Sequence, residues 1–345
     1  MLRNEAIAVA VVSAAIMAGV YAAQPAPPTM APVAVPVSTT ALALDRDDPG
    51  RARIGDLEFR GAVQIRSSNP EFGGISGLRP GKAPTTPGVV PFLAVTDTGK
   101  WLAFEAMETG GRLTGVRNAV FVPIAEPDGN PAPNKSAGDA EALEWNPTTG
   151  DASVVYEQNH RIAHFTGIDP ARLGSLTARP VQIEGLTAMA GWPLNGGGEA
   201  MAILPGGARI IIGERKHRPD GSHLALLTQD GATREIGIAS IGDYAPTDAV
   251  AIDATRILVM YRRFDLNGQA AALSLVDLAP TLAAEAPDTP LPARVLARWQ
   301  PPVTLDNMEG LAVRRSGKRL FVYLISDDNL NSLQRTILMK FEVKL

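Results

Sequence analysis

Carboxylates recur at matched places along this chain. Glu141, Glu199, Asp248 and Glu309 each stand before a small residue and then a large apolar one, as in Glu141-Ala142-Leu143 and Glu309-Gly310-Leu311. Ser76-Gly77-Leu78 repeats the pattern with a hydroxyl in place of the acid. After a turn, each is followed by an apolar run that ends in charge, at Asp97, Glu157, Glu214, Arg262 and Asp327. Carboxylates gathered in one place cannot all ionise without a cation or basic partners. Oxygen ligands in number suit Ca²⁺ or Mg²⁺. With 4 His and no Cys, the chain disfavours Zn²⁺ and excludes thiolate metal sites, Cys nucleophiles and disulfides. The expected metal ligands are therefore Glu141, Glu199, Glu309 and Asp327, with Ca²⁺ or Mg²⁺ as the ion and no organic cofactor. Glu157 or Glu214 would serve as general base. Basic residues follow in sequence: Arg161, Arg215 with His217, and Arg335. These would hold a small anionic or phosphorylated ligand.

Such a site exists only if the fold brings the five segments together. They lie roughly 50–65 residues apart, and each interval holds about four short strand-like runs separated by Gly or Pro. The interval beginning at Glu199 contains Ala208–Glu214, His223–Thr228 and Thr233–Ile238. Gly 33 and Pro 28 interrupt the chain too often for a helical solenoid, which needs long stretches of 3.6-residue period. The pattern predicts an all-β propeller of four-stranded blades. Five blades match the five segments, with six the alternative if residues 98–140 hide a blade without the motif. The last repeat has three strands before the chain ends. Leu57–Ile65 would supply the fourth, pairing the N-terminal strand with the C-terminal one and closing the ring. Ser76, Glu141, Glu199, Asp248 and Glu309 would then ring one mouth of the central channel, beside the charged ends of the neighbouring strands. The same carboxylates could instead hold blades in register through ion pairs, and Asp248, whose blade ends in Arg262-Arg263, best fits that role. Trp101, Trp145, Trp192 and Trp299 are expected between blades, His164 in the core or at an edge, and His223 in solvent.

The 345 residues are 45% hydrophobic, which suits a large folded core, and carry a formal net charge of -4. That balance argues against nucleic-acid binding, which needs a basic field. An apolar run from Ala6 to Val20 follows Arg3 and is short for a spanning helix. Residues 1–23 therefore read as a signal peptide, or as an N-terminal anchor if uncleaved. This predicts a periplasmic or secreted monomer that meets a membrane only through the uncleaved segment. Residues 24–55 begin with a run of prolines and read as a Pro/Ala-rich linker, with the propeller occupying 56–345.

Several motifs occur together in order: Phe72-Gly73-Gly74-Ile75-Ser76-Gly77-Leu78, Gly138-Asp139-Ala140-Glu141-Ala142-Leu143, Gly198-Glu199-Ala200-Met201 and Asp306-Asn307-Met308-Glu309-Gly310-Leu311. With Glu157-x-x-x-Arg161-Ile162, Ser326-Asp327-Asp328-Asn329 and Gln334-Arg335-Thr336, they resemble the phytase-like domain family, the "esterase-like activity of phytase" proteins, over roughly 60–343. The resemblance implies an exported bacterial β-propeller that hydrolyses phosphoesters or esters. The chain departs from β-propeller phytases in lacking dense Asp-rich calcium motifs. A non-catalytic propeller binding an anionic ligand or a cell-envelope partner is the alternative, since a fold does not fix a function. A carboxylic esterase with Ser76 as nucleophile is a third reading, with no His near it in sequence.

Overall fold

A computed structural model of the chain describes residues 29–82, 86–266, 268–283 and 289–344. The expected signal peptide, residues 1–23, lies outside them. Among the described residues no helix is long and apolar enough to cross a membrane.

The chain folds into five antiparallel sheets arranged as the blades of a propeller. Blade one is built from β5 (Ile75–Pro80), β6 (Val89–Thr96), β7 (Lys100–Thr109) and β8 (Arg112–Pro123). Blade two holds β9 (Ala140–Trp145), β10 (Ala152–Tyr156), β11 (Arg161–Phe165) and β12 (Gln182–Gly185). Blade three holds β13 (Gly198–Ile203), β14 (Arg209–His217), β15 (His223–Gln229) and β16 (Ala232–Ile238). Blade four holds β17 (Ala245–Ala251), β18 (Arg256–Asp265), β19 (Gly268–Asp277) and β20 (Ala293–Trp299). Blade five takes β21 (Asn307–Ser316), β22 (Arg319–Asp327) and β23 (Thr336–Val343), then borrows β4 (Leu57–Ser67) from the N-terminal side. β23 pairs β4 antiparallel, with Leu338 opposite Val63, so the two ends of the domain close the ring as the sequence predicts. Residues 98–140 supply β7, β8 and a connecting loop, not a sixth blade.

Middle strands such as Ile257–Tyr261 in β18 and Leu320–Asp327 in β22 are buried without interruption. Their sheets are covered on both faces by neighbouring blades, so the sequence reads as a continuous apolar run instead of alternating. Each of the five blade–blade junctions encloses its own apolar cluster. All four tryptophans are buried. Trp101 meets Phe165 across blades one and two, and Trp299 meets Phe341 across blades four and five, both edge-on. His164 is half-buried between Ser153 and Glu184. His223 does not face solvent: it packs against His217 with the rings tilted and is buried, and that burial pushes its pKa down to about 4.

The proline-rich segment is not a linker where it is described. β1 (Val33–Val35) pairs β8, and β2 (Val37–Leu42) pairs β4, so this stretch adds an outer strand to two neighbouring blades. Pro36 sits between the two strands. An edge strand pairs on one side only, so a missing N–H costs it little. Val35 and Leu44 are buried, and a short strand β3 (Arg53–Ile54) also pairs β4. The folded part therefore begins well before Asp56.

The innermost strands β5, β9, β13, β17 and β21 touch in sequence around the axis, and β21 touches β5. Arg79, near the end of β5, occupies the axis itself. Its guanidinium donates to the carbonyls of Leu78, Met201, Ala249 and Leu311 and to the carboxylates of Glu144 and Asp248, thereby reaching all five blades. Burial alone would lower its pKa, but Asp248 and Glu144 outweigh that and hold the group charged. The channel is thus crossed by a salt-bridged clasp, and the acidic mouth lies to one side of it.

Candidate functional site: an acidic channel mouth

One local irregularity, repeated five times, builds the mouth. In each blade the innermost strand bulges against the second, leaving one residue unpaired: Ser76, Glu141, Glu199, Thr247 and Glu309. A bulge re-aims its side chain away from the regular ladder. On the second strand, one residue beyond the partner of the residue that precedes the bulge, stand Asp97, Glu157, Glu214, Arg262 and Asp327. With the exception of Thr247, all ten residues line a single pocket of about 160 Å³.

This corrects the placement of Asp248. The acid–small–apolar pattern aligned it with the ring glutamates, but the ladder gives Thr247 the bulge position. Asp248 falls where the other blades have Gly77, Ala142, Ala200 and Gly310. It is wholly buried against Arg79, so its role is structural, and Thr247 donates its hydroxyl hydrogen to the Met308 carbonyl.

Eight carboxylates line the mouth against three cations, Lys135, Arg215 and Arg262. The cations are unevenly spread. Arg262 pairs with Glu309, donates to Glu214 Oε1 at 2.8 Å and lies 3.8 Å from Glu199. Arg215 Nε also contacts Glu214 Oε2 at 3.2 Å. Across the mouth, Lys135 bridges Asp97 Oδ2 at 2.7 Å and Asp139 Oδ1 at 3.0 Å. It projects from a single helical turn, α1 (Lys135–Gly138), in which the Asn134 side chain accepts from the Ala137 N–H. Glu157 Oε1 accepts from the backbone N–H groups of Gly196 and Gly197. Asp327 accepts from the Asn329 N–H at 2.8 Å.

On this second side Asp139, Glu141 and Glu157 bring one carboxylate oxygen each within 4.8 Å of one another. Nearby, Asp97 Oδ1 is buried without a hydrogen-bond partner. Gly74 permits that carboxylate to sit where it does. Its φ is +64°, and a Cβ there would lie 2.0 Å from Asp97 Oδ1. Electrostatic crowding is felt by several of these groups. Burial, reinforced by Asp139 and Glu157, pushes the Glu141 pKa well above the ordinary carboxylate range. Burial and Glu214 do the same to Glu199. Burial lifts Glu309 to about 8 against the pull of Arg262, and Asp327 to about 7 against its backbone hydrogen bond. Burial also raises Glu157, opposed by the two glycine N–H groups.

Of the residues expected from sequence, Glu141, Glu199, Glu309, Asp327, Glu157, Glu214 and Arg215 meet in this pocket. Arg161, Arg335 and His217 do not line it. Arg161 forms a two-pronged pair with Glu126, Arg335 binds Asp306, and His217 packs against His223. Their nearness in sequence to the ring acids is spent on these local partners. Asp139 and Lys135 were missed as site residues, because neither sits in the repeated pattern. Asp139 directly precedes β9, two residues before Glu141, and its signals in the sequence are that spacing and its place in the motif Gly138-Asp139-Ala140-Glu141. No histidine lines the mouth, and the Ser76 hydroxyl donates to the Gly74 carbonyl at 3.4 Å, so Ser76 has no histidine partner there.

Among curated proteins no similar sequence is found. Solved structures give likenesses of overall outline. The catalytic domain of a GH62 α-L-arabinofuranosidase from Coprinopsis cinerea is 12% identical, with 84% of this chain and 97% of that one covered and a TM-score of 0.49. A second α-L-arabinofuranosidase, from Podospora anserina, is 11% identical over the same shares, with a TM-score of 0.47. A GH43 protein from the Bacteroides ovatus xyloglucan locus is 12% identical, covering 77% of this chain and 52% of that one, with a TM-score of 0.40. No residue role passes from these to the present chain. The sequence profile described as phytase-like, the esterase-like activity of phytase, matches residues 70–330, and the protein belongs to that family.

Proposed function

We propose that the protein is an exported hydrolase of phosphoesters or esters whose reaction takes place at the acidic channel mouth with a divalent cation. The observation that carries this reading is the imbalance on one side of the pocket. Asp139, Glu141 and Glu157 converge there, while Arg262 is occupied by Glu199, Glu214 and Glu309. The donor set is oxygen only, which fits Ca²⁺ or Mg²⁺. The ligands are thus best assigned to Asp139, Glu141 and Glu157, where sequence spacing favoured Glu141 with Glu199, Glu309 and Asp327. When bound, such an ion supplies Lewis acidity toward a substrate oxygen and lowers the pKa of water.

The remaining roles fall to the chain's own groups. Glu214 sits between two guanidiniums and faces the pocket, the place for a proton acceptor. Burial raises the pKa of Glu199 well above the ordinary carboxylate range and that of Glu309 to about 8, which fits them to donate a proton to the leaving oxygen. Arg215, exposed at the rim, and Lys135 can hold an anionic oxygen. Export, read from residues 1–23, is part of the same proposal.

The test is hydrolysis of chromogenic phosphomonoesters and acetate esters by the intact protein, with Ca²⁺ or Mg²⁺ and after chelation. The reading requires turnover that falls at least tenfold with chelator and in Glu141→Gln. Saturable anion binding without turnover would instead assign the non-catalytic alternative.

A further inference from the structure

The mouth continues beyond its acidic ring. On the side of blades four and five it opens into a groove of about 810 Å³, sharing Glu214, Arg215, Arg262 and Asn329 with it. One wall is the hairpin tip between β18 and β19, and the other is the loop between β22 and β23. Phe264 on the first and Leu333 on the second both line the groove and are 80% and 89% exposed. Leu266 and Leu330 extend the same two tips into solvent. Eight large apolar side chains are exposed among the described residues, and four of them stand on these two loops. Such clustering marks a binding surface more often than scattered apolar residues do.

The polar lining points the same way. Arg215, Arg262 and Arg263 are matched within the groove by Glu214, Asp243 and Asp306. Arg262 already serves three glutamates, and Arg263 Nε lies 3.0 Å from Asp265. No surplus of positive charge awaits a polyanion. The inner end adjoins a mouth with far more carboxylates than cations. The rest is lined by neutral amides such as Gln269, Asn331 and Gln334.

We propose that this groove holds the non-reacting part of the substrate, and that the substrate is amphiphilic: an ester or phosphoester with a neutral or singly phosphorylated head and an apolar chain. The head would sit at the mouth and the chain between Phe264 and Leu333. This rests on the hydrolytic reading of the mouth, and it excludes highly phosphorylated inositols as preferred ligands.

Calorimetric titration of the intact protein in Mg²⁺ buffer with methyl phosphate, hexyl phosphate and inositol hexakisphosphate tests it. A fully buried methylene adds about fourfold in affinity, so five half-enclosed methylenes give about thirtyfold in favour of hexyl phosphate. The double variant Phe264→Ser/Leu333→Ser, altered only at exposed loop tips, should bring that ratio within about threefold while methyl phosphate binds as before. Equal affinity for the two alkyl phosphates overturns the proposal. So does a chain-length preference that survives the double variant, tighter binding of the hexakisphosphate, or no binding of hexyl phosphate. Binding is read without turnover. A protein that binds hexyl phosphate but hydrolyses nothing therefore keeps the groove and loses the hydrolase, and turnover indifferent to chain length does the reverse.

Discussion

Replacing Arg79 by Met removes a side chain that reaches all five blades while leaving a chain of similar length in its place. Seven hydrogen bonds are lost. The larger consequence falls on Asp248, which is wholly buried and would keep only the N–H groups of Ala249 and Leu311. Removing one partner of a buried ion pair costs about 3–5 kcal/mol, because the other charge stays desolvated and unmatched. With an unfolding entropy of about 0.6 kcal/mol/K for a domain of roughly 300 residues, the melting temperature should fall by about 5–8 °C. Thermal and urea unfolding of Arg79→Met against the parent measure this. Adding Asp248→Asn to Arg79→Met removes the more deeply buried of the two stranded carboxylates, Glu144 being the other, and should restore part of the loss, a coupling that a double-mutant cycle reads directly. A single Arg79→Met variant within about 1 kcal/mol of the parent would refute the clasp, as would strictly additive single and double variants.

Glu309 and Asp327 have pKa values raised on folding, so the folded state binds more protons than the unfolded one between ordinary carboxylate values and about 8. In chelator, stability should therefore be greatest near the acid end of that window and fall as pH rises through it. Ca²⁺ should raise the melting temperature more at pH 8 than at pH 5, and a melting temperature that climbs with pH in chelator would contradict this. A chain beginning at residue 43 loses β1 and β2 and bares the edges of β8 and β4. On size exclusion it should elute at a larger apparent mass than the parent, through pairing of the bared edges. Arg262→Gln strips Glu199, Glu214 and Glu309 of their shared cation, so Ca²⁺ stoichiometry by calorimetry should rise from one to two.

The blade count and the ring closure were legible because both come from local features: short apolar runs, Gly and Pro punctuation, and the strand-like Leu57–Ile65 left over at the start. The mouth was legible in outline for the same reason, since the bulge position and the end of the second strand recur in each blade. Blade four shows where such reading stops. Asp248-Ala249-Val250 matches the pattern in letters, yet the pairing of β17 with β18 moves the bulge to Thr247. Only the opposing guanidinium of Arg79, far away in sequence, explains why a carboxylate is tolerated there. Arg79 itself left a trace, a charge within the apolar stretch Ile75–Pro80, but its partners lie in other blades. The prolines before Asp56 misled because composition suggests a spacer, whereas an outermost strand needs hydrogen bonds on one side alone. Arg161 and Arg335 follow ring acids in sequence but turn to Glu126 and Asp306, a choice fixed by loops that no repeat encodes.

Titrating Ca²⁺ into the intact, chelator-stripped protein at neutral pH, beside Asp139→Asn and Glu141→Gln, bears most directly on the acidic mouth as a cation seat. One ion should bind the parent, and its affinity should drop at least tenfold in either variant while their folded structure by circular dichroism is unchanged. No saturable binding to the parent, or binding that both variants retain in full, would contradict the account.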